Sequence, residues 1–198
     1  MVGFSEGVIL GVAGINTALV SRYALATFRG DIRPNLVSWV LWALAPFIGS
    51  SAAFAQGVTW ATVPVLVAGI NPLLVLLAAC FARTGYWKIS RVDWTCGFFS
   101  FLALLLWGIT NNPDYALFFS IVSDGTAALP TLIKAWKAPE SESPTGFIGG
   151  VLSSLTSFLA VGEQPLRALA FPVYLALIDS LILACLFLGR QRRANALK

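Results

Sequence analysis

Asp124 and Asp179 lie deep inside long apolar stretches of a chain that has only 9 acidic side chains and no histidine. A carboxyl group at the centre of a membrane-crossing helix costs about 2.5–3.5 kcal/mol on insertion scales. Such a group persists where it binds a solute, carries a proton or clasps a neighbouring helix. Asp124 falls about ten residues into one apolar stretch and Asp179 about twelve into another, near mid-bilayer depth for a span of about 20 residues. Sliding the chain against itself by 108 residues gives each carboxylate a polar mate: Asp124 meets Asn16, and Asp179 meets Asn71. Four such side chains could converge on one axis. They would then line a cavity in which Asn71 and Asp179 bind hydroxyl or amine groups and either aspartate carries a proton. The same residues could also form a polar clasp between helices.

Other groups sit near these four. Trp39 and Trp42 are three residues apart, which puts two indoles on one helix face. Indoles stack on sugar rings or cations, and they also anchor helices at the membrane surface. Trp42 is the deeper of the two and the better cavity candidate; Trp39 suits an anchor. Ser153, Ser154, Thr156 and Ser157 could form a polar wall or a packing surface. Pro46, Pro64, Pro72, Pro130 and Pro172 each remove a helical hydrogen bond. They make fixed kinks or hinges, with Pro130, Pro64 and Pro172 the hinge candidates. Lys134 and Lys137 stand near Glu140 and Glu142, as an ion-pair gate or as a solvated turn. Exposed pairs contribute only about 0–1 kcal/mol, which favours the solvated turn.

The elements that must hold these groups follow from composition. Of the 198 residues 58% are hydrophobic and 11% charged, and the mean hydropathy is +0.80. A soluble domain carries about 25% charge, so lipid is the solvent expected for much of this surface. Seven stretches are long enough to span, at about 7–28, 34–55, 58–82, 94–111, 115–134, 145–162 and 168–189. Their length and lack of alternation predict helices rather than barrel strands. The gaps hold turn formers such as Gly30-Asp31, Asn111-Asn112-Pro113 and Gln164-Pro165. Cys80, Cys96 and Cys185 lie in apolar runs and read as small hydrophobes rather than a disulfide framework. The N-terminal MVGFSEGVIL has no basic region ahead of its apolar run, so no cleaved signal peptide is expected.

Charge sets the orientation. Arg22, Arg29 and Arg33 flank the first gap, Arg83, Lys88 and Arg91 the third, and Lys134 and Lys137 the fifth. Arg190, Arg192, Arg193 and Lys198 form the tail, so of the 13 basic residues only Arg167 falls on the other side. The positive-inside rule then places the N-terminus outside and the C-terminus in the cytoplasm; a bacterial inner membrane is the expected location. The net charge of +4 is explained by topology and contact with anionic lipid. No basic cluster interleaved with aromatics points to nucleic acid.

The offset of 108 also pairs Gln56 with Gln164, Pro64 with Pro172, Val65 with Val173 and Arg29 with Lys137. Rare polar residues and prolines matching at one offset predict an internal repeat. Three crossings invert the chain and a fourth restores it. The expected fold is therefore an all-α membrane protein of two parallel three-helix repeats joined by a linker helix, a 3+1+3 plan. Its parts are residues 1–83, 84–112, 113–190 and a tail at 191–198.

The turn of the second repeat carries Pro130-Thr131, then Lys134, Glu140-Ser141-Glu142-Ser143 and Phe147. This stretch, with the plan and the paired Asn71 and Asp179, resembles the PQ-loop superfamily, especially the SWEET sugar transporters. No Pro-Gln dipeptide occurs, Arg22-Tyr23 stands where the second repeat has Pro130-Thr131, and Asp179 stands where sugar transporters have a second asparagine. The resemblance implies a carrier that moves a small polar solute around a midplane site by alternating access, with proton coupling known among its relatives. It implies no cofactor and no enzymatic activity; a homo-oligomer is compatible with it. Receptors that bind without net flux share this architecture. So do nicotinamide riboside carriers, which run in the opposite orientation. No lysine lies midway along the last span to hold retinal, and no histidine or Gly-x-Gly-Asp signature marks an intramembrane enzyme.

Overall fold

The computed structural model describes residues 4–44, 62–82, 90–110, 113–156 and 165–196. They form seven α-helices: α1 (Phe4–Arg29), α2 (described over 36–44), α3 (Thr62–Phe81), α4 (Arg91–Thr110), α5 (Pro113–Lys137), α6 (Thr145–Thr156) and α7 (Pro165–Ala196). A 3-10 turn, Pro139–Ser141, joins α5 to α6. No strand occurs among the described residues. Each helix coincides with one of the apolar stretches, as far as each is described. By length and composition, Gly7–Arg29 and Ala170–Ala196 can cross a membrane, and Val67–Phe81 and Thr145–Thr156 are shorter apolar helices.

Large apolar side chains lie on the outside of the described residues. Phe81, Trp94, Phe98, Phe101, Ile109 and Leu177 are each more than 60% exposed. On α4 the positions 94, 98, 101, 105 and 109 recur at helical spacing, so one apolar stripe faces outward. Inside, Thr27, Ser38, Asn71, Ser100, Ser123, Thr131 and Glu142 are buried. A continuous apolar exterior of this kind belongs against lipid or another apolar surface. The arrangement is compatible with an all-α membrane protein.

Local chemistry sets the helix ends. α1 stops at Gly30, whose φ of 81° is open to glycine without strain. There the Gly30 amide donates to the Thr27 carbonyl and the Asp31 amide to Ala26, both at 3.0 Å, closing a Schellman motif. α2 begins at Asn35, whose Oδ1 accepts from the Val37 and Ser38 amides at 3.1 and 3.4 Å. α4 begins with a capping box: the Ser90 amide and hydroxyl donate to Asp93 Oδ2, and the Asp93 amide donates back to Ser90 Oγ. Asn35 Nδ2 also donates to Asp93 Oδ1 at 2.7 Å, tying the two helix starts together. The C-terminal carbonyls of α5 are satisfied from α7, where Arg192 donates to Trp136 and Arg193 to Lys137.

α1 packs against α3 and α6, α7 against α5 and α6, and α4 against α5. The α4–α5 seam is polar: Ser100 Oγ donates to the Ser123 carbonyl at 2.8 Å, and Ser123 Oγ donates to the Ser100 carbonyl at 3.0 Å. One core cluster gathers Val20 and Tyr23 from α1, Trp39 from α2, Val75 from α3, Ala135 from α5, Phe147 from α6, and Ile182 and Leu186 from α7. Trp39, a candidate surface anchor by sequence, is a core residue. Its indole packs between Tyr23 at 4.9 Å and Trp42 at 5.3 Å, so the aromatic ring of α1 takes the place of the headgroup layer.

The tie between the starts of α2 and α4 makes two predictions. Asn35→Ala removes a cap and a charge-assisted hydrogen bond, and should lower stability by roughly 1–2 kcal/mol, read as a fall in Tm in detergent. Burial pushes the Asp93 carboxyl up, but hydrogen bonds from Ser90 and Asn35 outweigh it and hold the group below its ordinary 3.8. A depressed folded-state value gives stability that is present above the ordinary value and lost as pH falls through the folded one. Between about pH 6 and about pH 3, Tm should therefore fall further for the wild type than for Asp93→Asn.

Candidate functional site

The buried polar groups form two layers, and α6 gives their register. On α6, Gly146 lies against Tyr23, with an added Cβ 3.4 Å from the ring. One turn further along, Gly149 lies against Asn16, so α1 and α6 run antiparallel. Gly150, the next residue, lies against Asp179 of α7. A Cβ on Gly149 would come within 3.2 Å of Asn16 Cγ, and one on Gly150 within 2.9 Å of Asp179 Cγ. Two successive glycines thus bring a polar residue of α1 and one of α7 to the same level. With any larger residue at either position, the Asn16 or Asp179 side chain would have to shift away from α6.

The upper layer builds outward from that level. Asn16, Asn71 and Asp179 each precede a residue of the core cluster by one helical turn: Val20, Val75 and Ile182 respectively. Asn71 is 3% exposed, and neither its Nδ2 nor its Oδ1 has a hydrogen-bond partner among the described residues. Asn16 Oδ1 and Trp42 Nε1 are likewise buried without partners. Asp124 is held differently. The Tyr174 hydroxyl of α7 donates to its Oδ2 at 2.9 Å. Gly125 leaves space for that hydroxyl, an added Cβ lying 3.3 Å from the oxygen. Asp179 interacts electrostatically with both Asp124 and Tyr174, so three of these groups form one cluster across α5 and α7. Native interiors leave few polar groups unpaired. A layer with several marks a place that water or a solute can complete.

The lower layer is more fully paired, although Trp39 Nε1 there is also buried without a hydrogen-bond partner among the described residues. Glu142 is 1% exposed and accepts hydrogen bonds from the Tyr23 hydroxyl and from Lys134 Nζ, the latter at 2.9 Å. Arg190 donates to the Glu142 carbonyl at 2.9 Å. Burial lifts the Glu142 carboxyl above its ordinary value, against the pull of Lys134 and Tyr23. Thr131 Oγ1 donates to Ser38 Oγ at 2.8 Å, and the Arg33 amide donates to the Ser141 carbonyl at 2.8 Å. The turn is thus not the solvated one that its charges favour on sequence alone. Its second glutamate points inward, because Tyr23 and Lys134 converge on it. Glu140 remains outside, paired with Arg193 at 2.9 Å.

The candidate residues therefore separate. Asn16 and Asp179 lie against successive glycines of α6, Asp124 is bonded to Tyr174 and feels Asp179 electrostatically, and Asn71 and Trp42 present polar atoms without partners among the described residues. Lys134 belongs to the lower layer. Pro130 and Pro172 lie inside α5 and α7, and Pro72 inside α3. Pro64 lies in the first turn of α3, where a missing amide costs little. Pro46 and Ser157 lie outside the described residues. The polar wall on α6 turns back on its own helix: Ser154 Oγ donates to Gly150 and Thr156 Oγ1 to Ser153. Tyr174, Tyr23 and the two glycines are absent from the sequence-based set, and Glu142 enters it only as a possible ion-pair partner of the turn lysines. A phenol five residues before Asp179 was the available signal for Tyr174. A Gly-Gly pair in an apolar helix was the signal for close approach.

No protein-family model matches the chain, and neither a curated protein nor a solved structure is significantly similar to it.

The glycine contacts make a contrast that thermal unfolding can read. Gly149→Ala and Gly150→Ala should each destabilise by about 1–3 kcal/mol, because a methyl is forced against a polar side chain. Gly108→Ala, with nothing within 4 Å of its Cβ position, should be neutral or stabilise by up to about 1 kcal/mol from helix propensity.

Proposed function

We propose that the protein is a SWEET-like, PQ-loop membrane carrier that moves a small polar solute by alternating access. Two three-helix repeats, α1–α3 and α5–α7, rock about a midplane site, with α4 as linker. The N-terminus lies outside and the C-terminus in the cytoplasm, in a bacterial inner membrane. One observation carries the reading: a layer of buried, unpaired polar groups stands directly above a sealed polar and aromatic plug. A static helix clasp would leave its amides paired. A carrier caught with one side closed needs this arrangement, polar groups free for a solute and a barrier beneath them.

The contacts around the plug support the repeat. Arg33 and Ser141, hydrogen-bonded to each other, are 108 residues apart. A contact between mates is what a local twofold axis requires. The Thr131–Ser38 contact maps by the same offset onto Tyr23 and Gly146, which also touch. Trp39 and Phe147, a further pair of mates, share the core cluster.

In this carrier Asn71, Asp179 and Asn16 bind the solute's hydroxyl or amine groups, and Trp42 lends an indole wall. Asp179, and Asp124 steadied by Tyr174, move a proton in the coupled cycle. Pro130, Pro64 and Pro172 let helices bend, and Lys134 belongs to the cytoplasmic gate. Lipid and the solute are the partners, and no cofactor takes part.

Flux in proteoliposomes tests the reading, with labelled sugars and amino acids, with and without a pH gradient. Wild type should take up at least one solute in response to the gradient. Asp179→Asn should lower the rate about tenfold or more, the factor expected when a charged contact is lost from a site. Saturable binding without flux for any solute would make the protein a receptor instead.

A further inference from the structure

We propose that the contact between the Tyr23 hydroxyl and Glu142 is the latch of the cytoplasmic gate, and that its breaking admits the cytoplasm to the polar layer. The inference rests on the carrier reading and deepens it. Lys134 is the obvious gate residue, but it cannot hold the two repeats together. It lies on α5 and its partner Glu142 lies in the turn between α5 and α6, so their ion pair travels with one repeat. Tyr23 lies on α1. Its hydroxyl is the one side-chain donor from the first repeat that the described residues place on Glu142.

The groups facing Glu142 divide the work. Lys134 neutralises the carboxylate from α5, and Arg190 fixes the turn's backbone from α7. Asn35, at the start of α2, approaches through its backbone. All of these except Tyr23 and Asn35 belong to the second repeat. Opening the cytoplasmic side must separate Tyr23 from Glu142, Ser38 from Thr131 and Arg33 from Ser141. The Asn35 backbone contact to Glu142 must part as well. Of the side-chain links between the repeats named here, the Tyr23 bond is the one made to a carboxylate, and such hydrogen bonds are the strong ones. Tyr23 also packs on Trp39, Phe147 and Gly146. Loss of the hydroxyl bond therefore frees the ring that seals the path to the polar layer.

Ser38 supplies the reporter. It is fully buried in the plug, so a cysteine there is silent while the gate is closed and reacts only when water reaches it. The measurement uses the full chain in membrane vesicles, with Cys80, Cys96 and Cys185 replaced by alanine and Ser38→Cys added. A membrane-impermeant maleimide is applied to each face separately. Tyr23→Phe keeps the ring and removes the donor. It should raise the labelling rate from the cytoplasmic face by about tenfold, the population shift expected for a lost hydrogen bond to a charged group. Glu142→Gln keeps a weaker acceptor and should give a smaller rise. Combined, the two should fall short of additive, because they share the Tyr23–Glu142 contact while Glu142→Gln also weakens the contacts of Lys134 and Asn35. Ser100→Cys, placed instead of Ser38→Cys in the buried α4–α5 seam, should stay silent throughout.

An unchanged rate in Tyr23→Phe overturns the proposal, as do fully additive effects of the two substitutions. Labelling of Ser100→Cys in Tyr23→Phe overturns it too, since a latch is separable from the fold. The readout needs no transported solute. A protein that labels as expected yet moves nothing keeps the latch and loses the carrier.

Discussion

Glu142 has to be satisfied without water, and much of the end of the bundle around the α5–α6 turn is arranged around that demand. A buried carboxylate is tolerated only when its oxygens find donors. Here one donor comes from α1, another from α5, and an arginine of α7 holds the backbone from which the side chain projects. To meet on one residue, α1, α5 and α7 must stand at fixed distances and rotations. The 3-10 turn at Pro139–Ser141 then has little freedom, because its last carbonyl receives the Arg33 amide. α7 adds Arg192 and Arg193 on the carbonyls of Trp136 and Lys137. The basic residues that set the expected orientation thus also close the ends of the helices they flank.

One turn away the same physics is left incomplete. Asn71 has two buried polar atoms and no partner for either among the described residues, while Glu142 has a donor on each oxygen. Both lie in one chain under one solvent condition. The contrast is one of degree, since Trp39 Nε1 beside Tyr23 is also buried without a partner among the described residues. Gly149 and Gly150 sharpen it. They let Asn16 and Asp179 approach α6 closely without supplying a hydrogen-bonding side chain of their own. The polar groups are brought together and then left open.

Much of the fold was legible in the sequence. The apolar stretches fell where the helices lie, since a run of about 20 apolar residues has little alternative to a helix. The end of α1 at Gly30 was legible because glycine alone takes its positive φ without strain. The inner candidates were found because a carboxylate in an apolar run is conspicuous. What escaped was the set of residues whose role depends on partners far away in sequence. Glu142 looks like any turn glutamate until Tyr23, 119 positions earlier, is brought to it. Tyr174 looks like a common aromatic until α5 places Asp124 against its hydroxyl. Trp39 carried the composition of an anchor, and only the ring of Tyr23 makes it core.

The offset of 108 explains why the two repeats do not behave alike. Tyr174 donates to Asp124, but their mates are Leu66 and Asn16. Leucine has no hydroxyl to offer, and Asn16 Oδ1 has no partner among the described residues. At the plug the asymmetry runs the other way. Thr131 of the second repeat makes a short bond to Ser38, whereas its mate Tyr23 extends past Gly146 as far as Glu142. Charge is thus concentrated in the second repeat at both levels, on Asp124 and Asp179 above and on Lys134 and Glu142 below. The described part of the first repeat supplies amides, hydroxyls and rings to the same contacts. In a medium that penalises charge, gathering it on one side lets those groups compensate or share protons with one another.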